Sequence, residues 1–118
     1  METNSKKDQE IANTIAEQMG GVRRLEIMVG ARDFVAIPNG LQFRIPGKNF
    51  ARDSINVIRV TLTPADEYDM EFLRERSLKL KEIKAYRGVY CDQLMSLFED
   101  TTGLTLRMPA ILVGTGDW

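Results

Sequence analysis

The segment 63–84, TPADEYDMEFLRERSLKLKEIK, holds a dense set of side chains that could do chemistry. In a strand, Glu67, Asp69 and Glu71 project to one face and the apolar residues between them to the other. Converging carboxylates bind Mg²⁺ or Ca²⁺, but neighbours on one strand face stand about 6.5 Å apart. We therefore favour a solvated face whose acids pair with Arg44 or Arg59 on adjacent strands.

A sharper hypothesis joins Asp69 to Glu82 and Lys84, which follow the order of the nuclease motif PD-(D/E)xK. That motif holds a metal ion and activates water. An acid and a lysine two positions apart are common in a chain this charged, so a divalent-metal nuclease is kept as a second alternative. We expect no enzyme, and we assign no catalytic, cofactor-binding or metal-binding residue.

A run of bases follows the acids: Arg74, Arg76, Lys79, Lys81, Lys84 and Arg87. Phosphate contacts need such clustering, and Tyr86 or Tyr90 could offer a stacking ring. The interleaved Glu75 and Glu82 weaken the field, so solvated charge is favoured over contact with a polyanion or a protein. Further candidate contacts with nucleic acid or another partner are Arg44, Lys48, Arg52 and Arg59.

Composition excludes several classes of function. The chain contains no histidine, so Ser-His-Asp and Cys-His catalysis and His-ligated zinc are ruled out. The lone Cys91 cannot form an internal disulfide. Sixteen Lys and Arg against seventeen Asp and Glu give a net charge of -1, so a polyanion site must be a local patch.

The sequence shows neither a signal peptide nor a membrane-spanning segment. The polar start METNSKKDQE has no apolar signal segment, and no run approaches the roughly 18 apolar residues that span a bilayer. We therefore expect a cytoplasmic location and no membrane partner. We also expect no cofactor, since the chain has no GxGxxG or P-loop pattern.

Periodicity predicts the first elements. Ile11, Ile15 and Met19 recur at helical spacing, which predicts a helix over 5–19 that ends at two glycines. From Val22 the apolar residues alternate, which predicts a strand, and a second strand over 34–37 follows a turn. Asn-Gly at 39–40 then indicates a hairpin.

The remaining elements alternate in the same way. Strands are predicted around 41–45, 58–62 and 68–72, with a polar loop over 48–54. After Leu73 the pattern leaves strand, loop and helical turn open, and we favour a last strand near 81–87. A closing helix is predicted over 90–102, before Gly103.

These elements predict one α+β domain over 1–118. Its antiparallel sheet of five or six strands, a hairpin meander, is flanked by an N-terminal and a C-terminal helix. The first residues, 1–10, are open to fraying. The apolar tail 105–118 has three open alternatives: it packs, it swaps between subunits, or it hangs free.

Five sequence blocks carry a resemblance over 15–104: EQMGG, GARDFV, LQFRIP, INVIRVTLTPADEYDMEF and GVYCDQLMSLFEDTTGL. In these blocks the chain resembles a family of small uncharacterised proteins encoded by bacteriophages and mobile elements. The resemblance implies a phage or prophage setting, and so the cytoplasm of a bacterial host, and it carries over no activity, cofactor or active-site residue. Members of that family usually have alanine where this chain has Cys91, and the tail after Leu104 departs from the family's pattern.

The sequence therefore predicts a non-enzymatic, phage-type accessory protein that binds a macromolecular partner. A host or defence protein is the first expectation for that partner. Nucleic-acid binding through the basic segment 74–87 is the alternative, and a metal-dependent nuclease is the second alternative. A homodimer formed through a sheet edge or the apolar tail is also considered.

Overall fold

The computed structural model describes residues 5–106. The helices are α1 (Ser5–Gln18), α2 (Val22–Val29) and α3 (Leu94–Thr102), and the strands are β1 (Arg32–Ile37), β2 (Gly40–Arg44), β3 (Val57–Leu62), β4 (Tyr68–Arg76) and β5 (Lys79–Val89). Short 3₁₀ turns lie at Arg52–Ser54 and Cys91–Gln93. The predicted α+β class is confirmed.

The sheet is a meander in the order β1-β2-β3-β4-β5, with every neighbouring pair antiparallel. This confirms the predicted hairpins and gives five strands in the described part of the chain. The sheet edges are β1, whose pairing is interrupted by an irregularity, and the longer β5.

α1 packs its apolar stripe against β1 and β2. Ala12, Ile15, Ala16 and Met19 are all buried, as residues three and four positions apart must be when they share one helical face. The predicted first helix is therefore confirmed to within a residue at its C-terminal end.

The segment from Val22 to Val29 is a helix, so the prediction of a strand there was wrong. Leu25 and Val29, one helical turn apart, are buried, while Ile27 is 66% exposed. The helix ends at Gly30, which is left-handed at φ 68° and donates its N–H to the Glu26 carbonyl. The helix is favoured because Leu25 and Val29 share one buried face and Gly30 ends the helix. The alternation that predicted a strand spans only three apolar positions.

The core lies between the helices and one face of the sheet. Tyr68, Met70 and Phe72 point into it, and each is buried. The Phe98 ring of α3 packs against both Phe43 and Phe72, with centroids 6.2 and 6.4 Å away. The predicted inward set of β4 is thus confirmed.

Glu67, Asp69 and Glu71 are half-exposed on the other side of the chain, as predicted. No helix within residues 5–106 has the length and apolar character needed to cross a bilayer. Leu106 is buried, and the questions raised about the tail beyond it, like those about residues 1–4, lie outside the described residues.

Candidate functional site

The hairpin of β4 and β5 extends beyond the rest of the sheet. The last β3 residue paired with β4 is Val57, which lies opposite Leu73, whereas β4 continues to Arg76 before the chain turns into β5. We call this projecting part, residues 74–81, the ribbon. Its three β4 residues past Leu73 carry the tip about 10 Å beyond the sheet.

The register sorts the ribbon's charges by face. Arg74 lies opposite Lys81 and Arg76 lies opposite Lys79, and residues directly opposite or two apart on a strand share a face. These four side chains form the basic face. Lys84, opposite Phe72, continues it toward the sheet.

The carboxylates that interrupt the bases in the sequence lie on the reverse side. Glu75 is opposite Leu80, and Glu82 is opposite Leu73, so both alternate away from the basic face. Glu75 is also ion-paired with Arg44, on that reverse side. The weakening of the positive field expected from the sequence is therefore much reduced.

The basic face carries few compensating contacts. Arg76, Lys79 and Lys81 are exposed, and within the described chain none of them forms an ion pair with a carboxylate. Arg74 donates to the Asp53 carbonyl at 3.2 Å. Lys84 places its Nζ 5.8 Å from the centre of the Tyr86 ring.

Two acidic side chains lie at the base of this face. A groove of about 320 Å³ there is lined by Asp53, Asp100 and Lys84 among others, next to the Arg52 turn. Arg52 is held by the Asp100 carbonyl at 2.5 Å. The uncompensated positive charge therefore grows toward the ribbon tip.

Asn56 fixes the ribbon at its root. Its side-chain Nδ2 donates to the Glu75 carbonyl at 3.0 Å, and its Oδ1 accepts from the Glu75 N–H at 2.8 Å. Its backbone N–H also donates to the Leu73 carbonyl at 3.0 Å. The side chain thus satisfies a β4 peptide group just past the end of β3.

The ribbon tip is a two-residue turn made by Ser77 and Leu78. Both have left-handed backbones, at φ 54° and 65°, as a tight hairpin turn with the twist of its strands requires. Leu78 is 95% exposed. Neither residue was singled out from the sequence, because Ser-Leu is not a turn signal.

Of the other predicted contact residues, Arg52 lines the groove at the base of the basic face, and the rest are spread over separate surfaces. Arg87 binds Asp69 at 3.0 Å. Arg59 lies opposite Glu71 on the open sheet face, the face away from the core, and donates from Nε to Gln42 at 2.6 Å. Lys48 is exposed in the loop between β2 and β3 and belongs to neither strand. The structure thus assembles five of the ten predicted bases, from Arg74 to Lys84, into one surface.

The proposed nuclease residues do not come together. Glu82 lies opposite Leu73, four positions along β4 from Asp69 and so roughly 13 Å away. An irregularity between Phe72 and Leu73 puts Lys84 on the other face from Glu82. Within residues 5–106, no group of three His, Cys, Asp or Glu side chains is placed to hold a metal ion.

These features define a small α+β protein whose meander sheet extends into a projecting basic ribbon. No protein-family model, no curated protein and no solved structure matches the chain. Arguments about its function therefore rest on the chemistry of this surface.

Proposed function

We propose that this chain is a non-catalytic binding protein that holds nucleic acid through the basic face of the ribbon. The observation that supports the proposal is the register, which gathers Arg74, Arg76, Lys79 and Lys81 on one exposed face. Bases across the ribbon stand about 5 Å apart and those along a strand about 6.7 Å apart. Such a double row of cations suits the phosphates of a nucleic acid.

The shape of the site also favours nucleic acid. Proteins that bind duplex DNA through β-strands place them in either the major or the minor groove. With a net charge of -1, the whole chain offers no general attraction for polyanions, so binding would be confined to this local patch. The open sheet face is a weaker candidate, since Arg44 and Arg87 are already paired with carboxylates.

The preference among partners thus changes from the one drawn from sequence. From the sequence, a host or defence protein is the first expectation and nucleic acid the alternative. The objection to contact with a polyanion is that Glu75 and Glu82 interrupt the bases. The register weakens that objection, because it places both carboxylates on the reverse face of the ribbon. A host or defence protein as partner stays a prediction, and so does the phage or prophage setting, which comes from the resemblance alone.

A binding titration tests the proposal. Fluorescence anisotropy of labelled duplex and single-stranded DNA is measured with the wild-type chain and with Arg76→Gln/Lys79→Gln. The matched control is Lys6→Gln/Arg23→Gln, which removes one lysine and one arginine, both exposed, from α1 and α2.

We expect the ribbon variant to bind roughly tenfold more weakly or worse, because two charged contacts are lost, while the control binds like the wild type. Equal loss in both variants would mean that binding follows net charge and not the ribbon. No binding of the wild type to either DNA would end the proposal.

A further inference from the structure

Leu78 is in a conformation that its type rarely adopts. At φ 65° it lies in the left-handed region, where a leucine is uncommon and strained. Two-residue hairpin turns of this kind are usually built from Asn-Gly, Asp-Gly or Gly-Gly. Here the sequence instead places a large apolar side chain at the tip, where it is 95% exposed.

Packing within the described chain does not explain this leucine. Because the Leu78 side chain is almost fully exposed, it contributes almost nothing to the core. No gain from burial therefore offsets the strain of its backbone. Strain that folding does not require is concentrated at binding sites and switches. The turn therefore points to a partner that uses the leucine.

The residues beside Leu78 limit the chemistry of that partner. Arg76 and Lys79 form the cross-strand pair next to the turn, and both are exposed on the basic face. Leu80, on the reverse face, is 45% exposed. The partner must present apolar surface within a few ångströms of anionic groups. In duplex DNA the stacked bases lie directly between two rows of phosphates and meet this condition.

The reach of the ribbon is sufficient for such a contact. Its tip stands about 10 Å beyond the sheet, and the minor groove is about 7.5 Å deep. Asn56 holds the root of the ribbon through two hydrogen bonds to Glu75, so the tip is presented on a braced support. A braced tip loses less entropy on insertion than a flexible one.

We propose that Leu78 is an apolar wedge that inserts at a base step of duplex DNA and bends the duplex. The inference rests on the proposed function, since the cations beside the tip hold the phosphates that flank the opened step. Leucine is among the residues that proteins insert between base pairs, with bends of about 20–90°. Flexible pyrimidine-purine steps such as TA open most easily and are the expected sites.

Energy transfer between dyes on the two ends of a duplex tests the wedge. A duplex of about 30 base pairs with a central TA step is titrated with the wild type, Leu78→Gly and Leu78→Met. The control is Ile27→Ser, which removes another exposed apolar side chain, 66% exposed on α2. Thermal melting of each free protein is recorded alongside.

Wild type and Ile27→Ser should raise the transfer efficiency, and Leu78→Met should retain most of the increase. Leu78→Gly should bind with its DNA unbent and should melt at a higher temperature, because glycine tolerates the left-handed turn. If Leu78→Gly is more stable than the wild type and yet does not bend DNA, the loss of bending cannot come from impaired folding.

The contrary outcomes are distinct. If Leu78→Gly bends DNA as strongly as the wild type, the wedge is wrong while the phosphate contacts stand. If the wild type binds only single strands, or binds duplex without bending it, the wedge is likewise wrong. If the wild type binds no DNA, the proposed function fails and the wedge fails with it.

Discussion

Replacement of Asn56 by alanine should loosen the ribbon at its root. The Asn56 side chain makes two hydrogen bonds to one peptide group, accepting from the Glu75 N–H at 2.8 Å and donating to the Glu75 carbonyl at 3.0 Å. Both are lost in Asn56→Ala. The backbone bonds of residue 56 to Leu73 and Ile45 remain, so the end of the sheet should stay paired.

The size of the effect follows from these two bonds. A typical hydrogen bond contributes about 1 kcal/mol net, so two contribute about 2 kcal/mol. Asn56 and Glu75 are only half-buried, so water reaches the freed peptide group in part and lowers the loss. We expect Asn56→Ala to reduce the free energy of unfolding by about 1–2 kcal/mol.

Urea denaturation followed by circular dichroism measures this loss, and amide hydrogen exchange locates it. The control is Asn13→Ala, since Asn13 is an exposed α1 residue that accepts one hydrogen bond from Gln9. That change should alter stability by less than about 0.5 kcal/mol. The Glu75 amide should exchange faster in Asn56→Ala alone. Equal stabilities for the two variants, with unchanged exchange at Glu75, would refute the bracing role.

Two further predictions concern the sheet and its core. A Cβ added at Gly40 would overlap the Val60 carbonyl oxygen, so Gly40→Ala should lower the free energy of unfolding by more than about 2 kcal/mol. A Cβ at Gly21 would meet open space, but the residue has φ 98°, so Gly21→Ala should lower it by about 1 kcal/mol. Equal costs in urea denaturation would contradict the close approach at Gly40. Burial raises the pKa of the Tyr68 phenol above its ordinary value, with Cys91 acting in the same direction. The folded state thus holds that proton more tightly than the unfolded state, so the free energy of unfolding should fall as pH rises above about 10. The fall should be less steep in Tyr68→Phe, and urea denaturation at about pH 9 to 11 measures it. Parallel declines would contradict this.

Strand alternation in the second half of the chain was readable because one face is buried and the other wet. Tyr68, Met70 and Phe72 occupy the core, as the period of two predicts. The hairpin signalled by Asn39-Gly40 was predictable for a different reason. Its turn is made by Pro38 and Asn39, and Asn39 adopts φ 58°, which asparagine tolerates, while Gly40 already belongs to β2. Both signals are local, so the sequence alone was enough.

α2 was missed because two periods fit the same short run. Leu25, Ile27 and Val29 alternate, yet Leu25 and Val29 also lie four apart, on one helical face. The signal that could have distinguished them was Gly30, followed by the small Ala31. That pair permits the C-terminal helix stop in which Ala31 donates to the Leu25 carbonyl at 3.1 Å.

The basic face could not be predicted from the sequence, although its residues were named. Its cations come from two strands, and a shift of the pairing by one residue would move one strand's bases to the reverse face. That pairing is set by the turn at Ser77 and Leu78 and by the irregularity near Phe72. Neither carries a local sequence signal.

The salt dependence of DNA binding tests the central claim most directly. Each phosphate contact contributes about −0.9 to the slope of log K against log salt, so four contacts predict a slope of about −3.6. Arg76→Gln/Lys79→Gln should halve that slope to about −1.8, whereas Lys6→Gln/Arg23→Gln should leave it unchanged. Equal slopes for the two double variants would show that the ribbon does not hold the phosphates.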